Sequence, residues 1–138
     1  MKRHLTTIVL TAGLSVLLGS STLSAQSQKA VASIPFAYHV GEKTFSPGKY
    51  TIGETRSPGV FVLQENETGH SIFMPVINEG TNEKDAWKLT FSCYAGQCSL
   101  SQVWLAGDSY SLRSRPFPRL AKNQLGLVAL VSVPLRPH

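Results

Sequence analysis

Two cysteines stand five positions apart in FSCYAGQCSL (91–100), and the chain has no others. Such a pair can act as a redox couple, as part of a metal site or as a covalent staple. A redox couple uses Cys-x-x-Cys at the start of a helix, and this spacing is wider. A structural zinc site needs four ligands; His39, His70 and His138 are the histidines downstream of the N-terminal segment, and they converge nowhere evident. Folding the stretch about Ala95-Gly96 places Cys93 opposite Cys98 as a non-hydrogen-bonded cross-strand pair. The Cα atoms of such pairs lie ~4.5 Å apart, at the short end of what a disulfide spans. The spacing therefore predicts a Cys93–Cys98 disulfide. Its loop is short, so it contributes only about 2 kcal/mol. The same fold-over sets Phe91 against Leu100 and Trp87 against Trp104.

Other residues with chemical potential are fewer. There is no nucleophile elbow, no zinc-protease helix motif, no phosphate-cradling glycine loop and no calcium-loop pattern. No catalytic, cofactor-binding or metal-binding residue is therefore assigned. Glu54 and Glu65 close two related segments and invite a two-carboxylate reading, although solvation of strand ends accounts for them more cheaply. His70 reads as a turn or sheet-surface residue, and His39 as the solvent side of its strand. Trp87 and Trp104 are candidates for a stacking platform that takes a sugar ring or peptide. Leu89 and Phe91 share their face, which favours a core pair. Gln102 falls on that apolar face opposite Leu89, where its amide bonds a loop or meets solvent or a ligand; both readings stand. Arg113, Arg115, Arg119 and Lys122 are a candidate contact for an anionic polymer, set against the simpler reading of a solvated surface.

The elements that must position these residues begin after an export signal. Residues 1–25 run from Lys2 and Arg3 through the apolar stretch Ile8–Leu18 to a small-residue exit at Ala25. That stretch falls short of the roughly 20 residues a spanning helix needs, and no later one is long enough. The expected mature chain is one β-domain, 26–138, in the periplasm or outside the cell. Two of the 13 basic residues lie in the leader, leaving 11 against 8 acids, net +3. All eight acids lie at or before Asp108. Export makes nucleic acid a poor partner and makes a disulfide chemically permissible.

Beyond the leader, period-two alternation and turn signals dominate. Ala30–Val40 reads as one strand with an edge or bulge at Pro35, and Gly41-Glu42-Lys43 turns it. FSPGKYTIGE (from Phe45) and RSPGVFVLQE (from Arg56) repeat a Ser-Pro-Gly unit that fits a type II turn in each copy. Val60–Gln64 reads as buried on both faces, ENETG (65–69) as a hairpin loop, HSIFMPVI (70–77) as a strand demoted at Pro75, and NEGTNEKDA (78–86) as a mobile loop. A short helix is expected within 117–126, followed by a last apolar strand over 127–135. These signals predict an all-β fold, an antiparallel β-sandwich or small barrel of about seven to eight strands.

IPFAYHVGEKTFSPGKYTI (34–52), together with the cysteine hairpin and the SVPL ending, resembles a group of small exported bacterial proteins of unknown function. That resemblance implies a strand–turn–strand scaffold and carries no functional residues across. The expectation for function is a non-enzymatic exported module with a binding or structural role, its partner an envelope polymer or another exported protein. The alternatives are an enzyme or enzyme inhibitor with a loop-built site, and a polyanion-binding protein acting through the basic C-terminal segment.

Overall fold

The computed structural model describes residues 28–114 and 126–138. The expected leader (1–25), Arg115, Arg119, Lys122 and all but the last residue of the expected helix segment lie outside the described residues. Every regular element within them is a strand. The strands are β1 (Lys29–Ile34), β2 (Tyr38–Val40), β3 (Lys43–Phe45), β4 (Gly48–Glu54), β5 (Val60–Glu65), β6 (Ser71–Thr81), β7 (Lys88–Tyr94), β8 (Gln97–Leu105), β9 (Asp108–Leu112), β10 (Ala129–Pro134) and β11 (Arg136–Pro137). The fold is all-β, as the alternation predicts.

The sheet runs in the order β10-β7-β8-β9-β6-β5-β4-β1-β11. Its two ends are consecutive pieces of one segment, so the sheet curls back on itself. Pro134 pairs with Lys88 and Arg136 with Val31, with Leu135 between them. Proline at this bend removes a ladder donor where the strand changes neighbours. On the other side the eleven-residue β6 does the same job: its first half pairs with β5 and its second with β9. The result is a barrel-like sandwich, its one mixed sheet open between β10 and β11, whose two layers share their outer strands.

One core fills it, drawn from strands of both layers: Ala30, Ile34, Tyr50, Ile52, Leu63 and Met74 from one, Leu89, Phe91, Leu100, Val103 and Val133 from the other. Tyr38 sits between the layers. Its ring stacks on Phe45 at 5.4 Å and meets Phe91 and Tyr50 edge-on at 5.3 and 5.4 Å. Aromatic contacts of this kind add to the area they bury.

Several expectations need correction. Ala30–Val40 is two strands. Pro35 ends β1, and the chain crosses to the other layer, where His39 in β2 makes a parallel bridge to Ser99 in β8. Only the second Ser-Pro-Gly is a type II turn: Val60 N donates to Ser57 O at 3.3 Å and Gly59 has φ +75°. Gly48 has no positive φ and instead opens β4 opposite Ile34. Val60–Glu65 alternates between buried and half-exposed positions, because only one face meets the core. Residues 78–81 continue β6 past Pro75, with a bulge between Asn78 and Gly80. The rest of the expected mobile loop is fastened: Asn82 Nδ2 donates to Ser109 Oγ at 2.7 Å, and Gly107 N donates to Ala86 O at 2.9 Å.

Candidate functional site

The cysteine hairpin has the expected register at its tip. Tyr94 faces Gln97, Cys93 faces Cys98, and the two sulfurs are bonded with Cα atoms 4.0 Å apart. Ala95 and Gly96 both take positive φ, +50° and +77°, which is the primed turn this loop length demands. An alanine in that conformation is strained, and the covalent bond beside it holds the turn closed. Because the disulfide locks one hairpin and the core lies beneath it, exchanging both cysteines for serine should lower stability by about 2 kcal/mol. Chemical denaturation would show this with the strand signature of the circular dichroism spectrum intact; collapse of that spectrum would overturn it.

Further along the hairpin the register slips. Phe91 faces Leu100, but Thr90 faces Gln102 and Lys88 faces Trp104, so Ser101 is an inserted residue. Ser101 Oγ donates to Thr90 O at 2.9 Å and ties the bulge down. The slip corrects the expected Trp87–Trp104 pair. Trp87 packs against the core, whereas Trp104 lies on the opposite face under the Lys88 ammonium, 4.7 Å from its ring centroid. That ammonium also pairs with Glu83 at 2.7 Å. A shared stacking platform is therefore not assembled. The same slip places Gln102 beside Thr90, off the apolar face. A signal was present in the sequence: the apolar residues change parity, from Leu100 to Val103 and Leu105, as an inserted residue requires.

Among the described residues, two openings in the barrel lie where strands end. The first lies where β9 stops short. β9 pairs with Val76–Thr81, so among the described residues Ser71–Pro75 of β6 has a strand on one edge only, that of β5. Val76 N and His70 O both bond to the β5 side. Alternation then turns the N–H and C=O of Ser71 and Phe73 outward. Pro75 presents only a carbonyl there, which accepts from Arg113 N at 3.2 Å. The opposite wall is the β2–β3 hairpin, Val40 to Lys43; among the described residues β3 pairs with β2 alone. Between the walls is a slot of about 530 Å³ floored by Val40, Ile72, Met74 and Leu112. Phe73 stands on its rim, 70% exposed.

The second opening is a mouth of the barrel, where the Thr55–Gly59 turn meets β6 and β9. It holds about 340 Å³ and is lined by Glu54, Phe61, Val76, Asn78 and Tyr110, among others. Tyr110 Oη donates to Glu54 Oε1 at 3.3 Å. Burial, reinforced by the Glu54 and Asp108 carboxylates, pushes the Tyr110 phenol up to about 12. It therefore stays protonated, and a donor, through the whole neutral range.

Comparison with protein-family models, with curated proteins and with solved structures found no match.

The remaining candidates are dispersed. Glu54 pairs with Phe61 and Glu65 with Tyr50, which sets the two carboxylates at opposite ends of the β4–β5 hairpin. No joint acid–base chemistry is available to them. His70 is exposed beside the β5–β6 turn, and His39 Nδ1 lies 3.1 Å from Thr44 Oγ1. Arg113 is exposed at the end of β9. No group of three or more metal-ligating side chains occurs among the described residues, and no helix long and apolar enough to cross a membrane occurs among them. Both openings escaped the sequence reading, because each depends on where non-consecutive strands end.

Proposed function

We propose that this chain is an exported, non-enzymatic binding module that takes up a segment of another polypeptide in extended form, adding it to β6 as a strand. The observation that carries the reading is the outward edge of Ser71–Pro75 along the wall of the slot. Unpaired strand edges recruit extended chains through main-chain bonds, and pockets for alternate side chains add selectivity. Here Met74, Val40 and Leu112 offer an apolar floor to every second residue of the guest, and Phe73 offers a rim. The Cys93–Cys98 disulfide and the leader-like N-terminus support an oxidising compartment.

A capped peptide of alternating valine and threonine is a suitable probe for the isotope-labelled mature chain. The Ser71 and Phe73 amides should shift and gain protection from hydrogen exchange as it is added. Phe73→Pro removes one outward N–H without touching the β5 ladder, and should abolish uptake while thermal stability changes little. Uptake by the proline variant equal to that of the parent, or no protection in the parent, would discard the reading.

A further inference from the structure

The barrel mouth carries a second, independent site. Among the described residues Glu54 is the only charged one lining it, and its carboxylate makes no ion pair with any of them. Its hydrogen bond comes from a neutral phenol, Tyr110, at 3.3 Å. Half-buried at the end of β4, Glu54 thus has a neutral donor beside it and no ion-pair partner among the described residues. Beside it the rings of Tyr110 and Phe61 lie with centroids 4.7 Å apart and planes tilted by 57°; both line the space, Tyr110 partly exposed and Phe61 almost wholly buried behind it.

The surrounding frame is already built. Thr55 Oγ1 donates to Val60 O at 2.8 Å, Thr55 N donates to the same oxygen at 3.1 Å, and Val76 N fastens Gly59 O at 2.9 Å. The turn is thus fixed to both β5 and β6 before any ligand arrives. A carboxylate next to aromatic faces attracts organic cations through charge and ring quadrupole together. It repels anions. It also serves hard metal ions poorly, since those take six or more oxygen ligands and the mouth supplies one carboxylate.

We propose that this mouth, between Glu54, Phe61 and Tyr110, binds an alkylammonium group. The volume of about 340 Å³ admits an amine with a short alkyl chain, the chain against Val76 and Phe61 and the charge at Glu54. Primary and quaternary ammonium groups share this chemistry.

Nuclear magnetic resonance titration of the mature chain separates the cases. n-Butylammonium and tetramethylammonium are the probes, with n-butanol and butyrate as neutral and anionic controls of similar size. The amides of Gly59 and Asn78 should shift saturably with an ammonium probe and not with either control. The stronger of the two ammonium probes identifies the source, a lysine-like amine or a methylated one. Glu54→Gln keeps an oxygen for Tyr110 to donate to, and should weaken binding at least about tenfold with unchanged thermal stability. Equal shifts from n-butanol and n-butylammonium in the parent protein would overturn the assignment without any variant, and so would undiminished binding by Glu54→Gln.

Discussion

Raising the pH past 10 should destabilise this protein progressively, and Tyr38→Phe should hold it together to higher pH. Tyr38 is fully buried in the core. Burial is the main reason its phenol resists ionisation, with Tyr50 and the Glu65 carboxylate adding to the effect. Its value in the folded state lies far above the ordinary 10.0. An unfolded chain releases the proton near pH 10. The stabilisation is therefore whole below pH 10 and declines as pH rises, by about 1.4 kcal/mol per unit. Tyr110 adds to the decline between 10 and about 12, though its share is smaller because it is partly exposed. Against a total stability of roughly 5–15 kcal/mol, the combined loss is large. Urea midpoints should stay level from neutral pH to 10 and then fall. In Tyr38→Phe the fall should be shallower, since the ring contacts with Phe45, Phe91 and Tyr50 survive. If the absorbance of all four tyrosines titrated near pH 10 with the fold intact, water would be reaching Tyr38, and the expectation would fail.

What the sequence disclosed follows the range of the forces involved. The cysteine hairpin was legible because its register depends on neighbours in the chain: a two-residue turn, period-two alternation and a bond between Cys93 and Cys98. The second Ser-Pro-Gly turn was legible for the same reason. The first was not, since Gly48 is claimed by a ladder with Ile34, fourteen residues earlier. Pro75 misled in a similar way. A proline usually ends a strand, yet here its missing N–H points to the edge that β9 barely reaches, so the ladder with β5 loses nothing. The two openings were illegible altogether. The Tyr110–Glu54 bond spans 56 positions, and the slot exists because β9 is five residues long while β6 is eleven. Neither length is written in the local pattern of either strand.

A comparison of two glycines tests whether the polar loop over the β8–β9 turn is a structural element. Gly96 and Gly107 occupy like positions, each following an alanine of positive φ in a two-residue hairpin. A Cβ on Gly96, at φ +77°, would meet nothing within 4 Å. Gly96→Ala should then carry only the left-handed penalty, about 1 kcal/mol. A Cβ on Gly107, at φ +93°, would stand 2.9 Å from Glu83 O and 3.0 Å from Asp85 N. Both are backbone atoms, in a loop tied by Gly107 N to Ala86 O at 2.9 Å and by Lys88 to Glu83 at 2.7 Å. The loop cannot withdraw without losing those bonds and uncovering Ser109, which is completely buried. Gly107→Ala should therefore cost about 3 kcal/mol or more, the sum of backbone strain, overpacking and loosened loop contacts. Denaturant midpoints of the two variants, measured side by side, decide the matter. Equal losses would mean that residues 82–87 yield freely, and that the polar stretch is the mobile loop its composition suggests.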